Sequence, residues 1–398
     1  MKNSSLNLYL EINEINLNFF VGTNDDQNNL KIIFKQSILS NELEENKISN
    51  FEKINQIIKN SIYTIEQKYN FTFKEIILIL DNFNPSFINL SGYKKLNGSQ
   101  ILKENITYIL NSLKSYVSKI EVKKNILHIF NSKYYLDNQK IENLPIGLFG
   151  DFYSHELSFI MLNINDYKNL KNIFDKCNLK IKKILLKNFV VGAQICENNQ
   201  NIDTFFHIRV GKSKSKIFYF ENSSLKFEQR FNFGSDIIIK DISKITLLKE
   251  TTIKEILQKI KLKNNFSENE ILEVEFFKDE DFRKVKKKLL YEIILARVNE
   301  ISDILFYKNV NLKYYIKSLK TLFFDVNKDD EFFCLREVFK EVLLNNWNSD
   351  LEFFFTDSNK DMLSTVDKLV HFGWKKEAIP ISLEKKSLIT KVFEAIFK

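Results

Sequence analysis

The residues that could carry chemistry are few, and their spacing excludes most of it. Cys177, Cys196 and Cys334 are odd in number and far apart. They suit neither a disulfide framework nor a zinc site, and they point to a reducing compartment. His128, His155, His207 and His371 show no ligand spacing, so structural roles are expected for them and no metal is expected. Phosphate-gripping loops need glycine for close backbone approach, and only 9 of 398 residues are glycine. Lys212, Lys214 and Lys216 alternate behind Gly211, a period that puts three ammonium groups on one solvated strand face. Arg283, Lys284, Lys286, Lys287 and Lys288 form a second basic run, by default the solvated side of a helix.

The remaining pattern lies at the C-terminus. From Ser387 onward, Leu388, Ile389, Val392, Phe393, Ile396 and Phe397 fall on one side of a helix, with Thr390, Lys391, Glu394 and Lys398 on the other. Ser387 is an N-cap candidate, and Pro380 with Lys385 and Lys386 separates the segment from the body. Isolated helices under roughly 12–15 residues are marginal in water. This one therefore needs an apolar surface, either its own domain or a bilayer.

These features must be positioned by a chain long enough for two or more domains. Hydrophobic residues at 44% and charged residues at 28% suit a globular protein. The net charge of +8 is spread along the sequence, too diffuse for a nucleic-acid footprint yet compatible with weak attraction to anionic lipid. No segment approaches the ~18 apolar residues that span a bilayer. The N-terminus lacks a signal-peptide pattern, so a cytoplasmic location with peripheral membrane contact is expected. Leu8–Ile12, Leu17–Val21 and Leu30–Phe34 read as strands, Ile54–Tyr69 as a helix and Ile76–Leu80 as a strand buried on both faces. Strand hairpin, helix and buried strand in that order give a mixed α/β domain. From residue 86 to 163 strands mix with one helix, Leu102–Ser118.

Within that stretch, His128-Ile-Phe-Asn-Ser-Lys-Tyr-Tyr-Leu-Asp137-Asn-Gln139 precedes Asn143-Leu-Pro145-Ile-Gly147-Leu-Phe-Gly150. This resembles the bacterial cell-division family FtsA in its run His-Val-Ile-Pro, Tyr, Asp-Gly-Gln, Asn-Pro, Gly-Met, Gly. The departures are Asn131 for Pro, Asn138 for Gly and Leu144 for Asn. Asn169-Leu170, Leu179-Lys-Ile, Ile184-Leu185-Leu186, Gly234-Ser-Asp236, Lys240-Asp241-Ile242 and Ala296-Arg297-Val-Asn-Glu300-Ile301 follow in family order.

The resemblance implies an actin-like two-lobed α/β fold with a displaced small subdomain and a C-terminal amphipathic helix. The first-lobe core would be 1–85 with 164–197, the inserted subdomain 86–163, and the second-lobe core 198–230 with 300–378. The second lobe's small subdomain would be 231–299, and 379–398 the linker and membrane-targeting helix. The resemblance also implies an ATP cleft. The first phosphate loop falls on Glu11-Ile12-Asn13-Glu14-Ile15-Asn16, the second on Arg209–Lys216 and the third on Val326-Asn327, beside Asp325. The family's Ala-Glu-x-x-Lys helix is reduced to Thr251 and Lys254. Most of the glycines are gone, and both aspartates of the second loop have become basic. Either the cleft is degenerate, with its lysines solvated, or the lysines replace magnesium as counter-charges for a nucleotide. The residues implied in nucleotide contact are Gly211, Ser213, Gly234, Asp236 and Lys254, with no catalytic residue and no metal.

The implied function is a division adaptor that binds FtsZ, polymerises with itself, contacts other division proteins and sits on the cytoplasmic face of the membrane at the division site. Leu388, Ile389, Val392, Phe393, Ile396 and Phe397 would enter an anionic lipid bilayer, helped by Lys385, Lys386 and Lys391. Arg283, Lys287, Arg297 and Glu300 would meet the C-terminal peptide of FtsZ. Nucleic acid is not an expected partner. An ATP-dependent small-molecule kinase of the same superfamily and a pilus-assembly adaptor are the alternatives.

Overall fold

The computed structural model describes residues 6–13, 16–25, 27, 29–40, 42–44, 47–81, 83–260, 262, 266–278, 280–317, 320–325, 333–346 and 351–378. In chain order the elements begin with β1 (Leu6–Ile12), β2 (Asn16–Asn24), β3 (Leu30–Leu39), β4 (Leu43–Glu44), β5 (Lys47–Ile48), α1 (Phe51–Tyr69) and β6 (Glu75–Leu80). Next come β7 (Ser86–Lys95), α2 (Lys103–Ile120), β8 (Lys124–Leu136), β9 (Gln139–Ile141), β10 (Phe152–Asn163), α3 (Ile164–Lys176), β11 (Lys180–Leu186) and α4 (Lys187–Asn198). Then follow β12 (Phe205–Val210), β13 (Ser215–Glu221), β14 (Ser224–Phe231), α5 (Asp236–Thr246), α6 (Glu250–Lys259), α7 (Lys287–Ser302) and α8 (Lys313–Ile316). The last are β15 (Thr321–Asp325), α9 (Arg336–Asn345), β16 (Glu352–Thr356) and α10 (Met362–His371). The strand expected over Leu30–Phe34 runs on to Leu39, because alternate residues continue to pair with β2 as far as Asn16.

The chain divides into two compact units. Among the described residues, the first draws on 6–39, 75–81 and 182–372. It holds two five-stranded sheets, ordered β11-β6-β1-β2-β3 and β14-β13-β12-β15-β16. The orders correspond strand for strand. Each sheet begins as a three-stranded antiparallel meander, and the next sheet strand then pairs parallel to the first. Central position explains composition: Leu8–Ile12 and Ile76–Leu80 are buried, and as inner strands they carry apolar residues on both faces. In the second sheet Phe206, Ile208, Ile217 and Tyr219 form one core with residues of α5, α6, α7 and α9. At α10, Asp367 accepts hydrogen bonds from the Tyr9 hydroxyl at 2.6 Å and from Asn24 Nδ2 at 2.8 Å. Burial raises the Tyr9 phenol above its ordinary range, and Asp367 adds to the effect, so the hydroxyl stays a donor.

Among the described residues, the second unit draws on 40–74, 83–181 and 373–378. Its antiparallel sheet is ordered β7-β10-β8-β9, with α2 packed on β7. The β8–β9 hairpin turns on Asp137 and Asn138, at φ 49° and 67°. Two successive left-handed residues make the turn that matches strand twist, and Asn and Asp tolerate that region best after glycine. Asn138 thus does the work of the glycine it replaces. Asp137 Oδ1 accepts the backbone amides of Asp151 and Phe152 at 2.9 and 2.8 Å, fastening the return of the chain into β10. Gly147, at φ +92°, sits where a side chain would be strained. Past α10, Lys376–Ala378 forms a short strap on the edge of β8. The Asn131 amide donates to the Lys376 carbonyl and the Ala378 amide to the Ile129 carbonyl, both at 2.7 Å. His128 Nδ1 lies 3.1 Å from Glu377 Oε1, and Ala378 joins the core of Ile129 and Leu157.

The amphipathic segment Ser387–Lys398, with its apolar residues Leu388, Ile389, Val392, Phe393, Ile396 and Phe397, lies outside the described residues. So do Lys385, Lys386 and Lys391, Glu14 and Ile15 of the first loop, and Val326 and Asn327 of the third. Among the described residues no helix is long and apolar enough to cross a membrane.

Candidate functional site

Ligands of open α/β sheets bind beyond the carboxyl ends of their strands. In the first unit those ends carry charge. Glu11 stands near the end of β1 and Asp81 directly follows β6. Arg209 is near the end of β12, Asp325 ends β15, and Asn359 follows β16. A cavity of about 970 Å³ opens there, lined by Glu11, Asp81, Lys187, Arg209 and Lys216 together with the β12–β13 turn, Asn359 and Lys360.

The floor of the cavity is a closed ionic network. Lys216 Nζ donates to Asp81 Oδ1 at 2.6 Å and to the Asp81 carbonyl at 3.0 Å. Lys187, the first residue of α4, donates to Glu11 Oε1 at 2.7 Å and to Asn359 Oδ1 at 3.1 Å, and stands 3.7 Å from Asp81 Oδ2. Asn18 Nδ2 takes the other Glu11 oxygen at 2.9 Å. Arg209 lies 3.9 Å from Asp81 Oδ2 and 3.5 Å from Asp325 Oδ2. Asp325 also accepts the Ser358 amide at 3.0 Å and hydroxyl at 2.6 Å. The exposures are 5% for Glu11, 6% for Asp81, 5% for Lys187 and 7% for Lys216. Burial alone would raise the Asp81 carboxyl. Lys216, Lys187, Arg209 and Arg230 outweigh it and hold the group well below the usual carboxylate range.

This geometry corrects one reading of the sequence. Lys212, Lys214 and Lys216 do not share a solvated strand face. Gly211–Lys214 forms the turn between β12 and β13, and Lys216 points inward onto Asp81. Lys212 stays exposed and Lys214 is half-buried. The reason is Asp81: a buried carboxylate directly after β6, in the other five-stranded sheet, makes the inner face the favourable place for an ammonium.

Of the five residues expected at a nucleotide, the structure brings Gly211 and Ser213 to the cavity lining. Gly234, Asp236 and Lys254 are not part of it. Gly234 and Asp236 instead support the β12–β13 turn from behind. The Ser235 and Asp236 amides donate to the Gly211 and Lys212 carbonyls, each at 2.9 Å. A Cβ at Gly234 would overlap both of those carbonyl oxygens and lie 2.6 Å from the Lys212 carbonyl carbon. Backbone cannot swing aside as a side chain can, so Gly234→Ala is expected to cost ~1–3 kcal/mol of stability, read as a lower urea midpoint. An unchanged midpoint would show that the turn yields freely. Lys254 lies on α6.

A magnesium nucleotide does not fit these residues. Two carboxylates at strand ends could hold magnesium through oxygen, but Glu11 and Asp81 already receive ammonium groups. A divalent cation there would face Lys187 and Lys216 as like charges. The Gly211 amide, a candidate phosphate donor, is bound to the Lys214 carbonyl at 2.9 Å. Among the described residues no group of three or more His, Cys, Asp or Glu could hold a metal.

The residues expected to meet a partner peptide are engaged within the chain. Arg283 Nη1 donates to the Leu247 carbonyl at 2.7 Å, and Lys287 pairs with Glu273. Arg297 Nε meets Asp241 at 2.5 Å and its Nη1 meets Glu300, while Lys286 and Lys288 both face Glu268. The region is therefore closer to charge balance than its lysine run suggests.

Sequence reading missed Asp81, Lys187 and Asn359. Asp81 and Lys187 had a visible signal: each is the charged residue that directly ends an apolar run, Ile76–Leu80 in one case and Ile184–Leu186 in the other. Asn359 had none.

The repeated sheet order and the site at the strand ends define an actin-like α/β fold. The PilM–PilN type IV pilus biogenesis complex shares it, with a TM-score of 0.51, 8% identity, and coverage of 90% of this chain and 89% of that one. No protein-family model matches the chain. Cell division protein FtsA of Buchnera aphidicola subsp. Schizaphis graminum is 24% identical over 323 residues, covering 80% of this chain and 75% of the relative. FtsA of Neisseria meningitidis serogroup B is 21% identical over 283 residues, covering 71% and 68%. The chain thus has an actin-like α/β fold and is similar in sequence to FtsA proteins over most of its length.

Proposed function

We propose that the chain is a cell-division adaptor that joins FtsZ filaments to the cytoplasmic face of the membrane and serves as a scaffold without hydrolysing ATP. The division role rests on kinship with FtsA over 80% of the chain. The scaffold half rests on one observation: the carboxylates at the strand ends are taken by Lys187 and Lys216 of the same chain. Phosphoryl transfer needs metal ions on the phosphates and a group that positions the nucleophile. Here the protein's own cations hold the floor of the cleft in place of the metal.

In this reading residues 379–398 anchor the protein through the apolar side of Leu388–Phe397. Six apolar side chains, each worth ~1.5–3 kcal/mol when fully buried, give only reversible attachment once helix ordering is subtracted. Self-association then makes the second and later contacts intramolecular and the array stable on the bilayer. Residues 86–163 serve as the family's inserted subdomain and 231–299 as the site for the FtsZ peptide. That peptide must exchange with Glu273, Glu268 and Asp241 for the basic side chains, which favours modest affinity and fast release.

Two measurements test the proposal. Co-sedimentation with anionic vesicles is expected to retain the full chain and lose both Phe393→Glu and a chain ending at Ala378. Retention of either variant overturns the anchor. Calorimetry with magnesium and ATP is expected to show no binding tighter than ~1 mM, and tight magnesium-dependent binding overturns the scaffold reading.

A further inference from the structure

The ammonium of Lys187 occupies an unusual position. It is buried at the first turn of a helix, where the aligned peptide dipoles favour anions over cations. A buried ammonium is tolerated only when its donors are met by charge and by hydrogen-bond acceptors. Three oxygens from three separate elements meet it. They are Glu11 Oε1 at 2.7 Å from β1, Asn359 Oδ1 at 3.1 Å from the loop after β16, and Asp81 Oδ2 at 3.7 Å from the end of β6. Two carboxylates and an amide oxygen converging beside a cavity are the donor set of a hard, oxygen-bound cation.

We infer that Lys187 is the resident cation of the cleft, a covalently fixed charge standing where an oxygen-bound divalent ion would be held. Lys216 completes the arrangement by capping the second oxygen of Asp81 at 2.6 Å. A fixed ammonium cannot be chelated or exchanged, so the floor of the cleft keeps its charge balance at any divalent-cation concentration. An anion entering the cavity is accordingly met by the rim cations Lys35, Lys212 and Lys360 without an accompanying metal. The inference rests on the scaffold reading and narrows it to Lys187; the calorimetry judges that reading, and manganese binding by the variants below judges Lys187 itself.

Lys187→Met tests it, because methionine keeps the apolar stem and removes the charge. In the full chain, Lys187→Met is expected to lower the melting temperature, and manganese to restore it. Manganese binding followed by electron paramagnetic resonance should be at least ~tenfold tighter than in the parent. Lys187→Met combined with Glu11→Gln should recover stability without manganese and bind none. The inference is overturned if the parent binds manganese as tightly as the variant. It is equally overturned if manganese neither binds nor stabilises Lys187→Met, including a variant that stays unfolded in its presence.

Discussion

Asp81→Asn is expected to cost ~3–5 kcal/mol of stability, the range seen when one partner of a buried ion pair is removed. The amide keeps the shape and cannot balance Lys216, Lys187 and Arg209, which gather on the carboxylate at 2.6, 3.7 and 3.9 Å. The Lys216 and Arg230 bonds to the Asp81 carbonyl, both at 3.0 Å, survive the change, so the loss reports charge rather than lost contact. Urea midpoints give the measurement. Adding Lys216→Met should return a large part of the loss, because coupled neighbours are not additive. The penalty should persist in molar salt, since buried pairs are screened little. A loss under ~1 kcal/mol that vanishes with salt is the behaviour of surface pairs, and would mean the network is solvated.

Acidification gives the second large effect. Burial holds His155 down to about 4, against the pull of Glu156 and with help from Lys376. Burial likewise holds His207 at about 4, against Asp325 and with help from Arg209. Neither ring nitrogen of His155 has a hydrogen-bond partner among the described residues, nor does His207 Nε2. An unfolded histidine titrates near ~6.5, so between about 6.5 and about 4 the unfolded chain binds protons that the native one refuses. The sign is then fixed: stability rises with pH across that window and is fully present above it. Each histidine is worth on the order of 3 kcal/mol by the low end. Asp81 acts in a separate range, because its stabilisation fades only below the ordinary carboxylate value. His207→Phe keeps the stack on Phe218, whose ring centre is 4.4 Å away, and should flatten the acid limb together with His155→Phe. Urea midpoints at pH 7.5, 6 and 5 decide the matter, and a double variant that falls as steeply as the parent would assign the limb to other groups.

The inner strands and the first helix were legible in sequence because burial on both faces and a 3.6-residue period leave direct marks. Ile76–Leu80 could be read as β6, and Ile54–Tyr69 as most of α1, capped by Asn50 and ended by Asn70 in the left-handed region. The actin-like fold was reachable only through resemblance, because strand order across distant segments leaves no local periodicity. The site was half legible. Alternation identified Lys212, Lys214 and Lys216 but put all three in water, since period says which residues share a face and nothing about what that face meets. What Lys216 meets lies 135 positions away. Lys187 and Asp81 are separated similarly, and no rule of spacing joins two charges that come together only when sheets form.

The short strap on β8 has a mechanical consequence. Lys376–Ala378 is joined to β8 by main-chain bonds to Ile129 and Asn131, with the His128–Glu377 contact beside them. Because the strap runs antiparallel to β8, a pull transmitted through Ala378 loads these main-chain bonds in shear, along the strand and not across it.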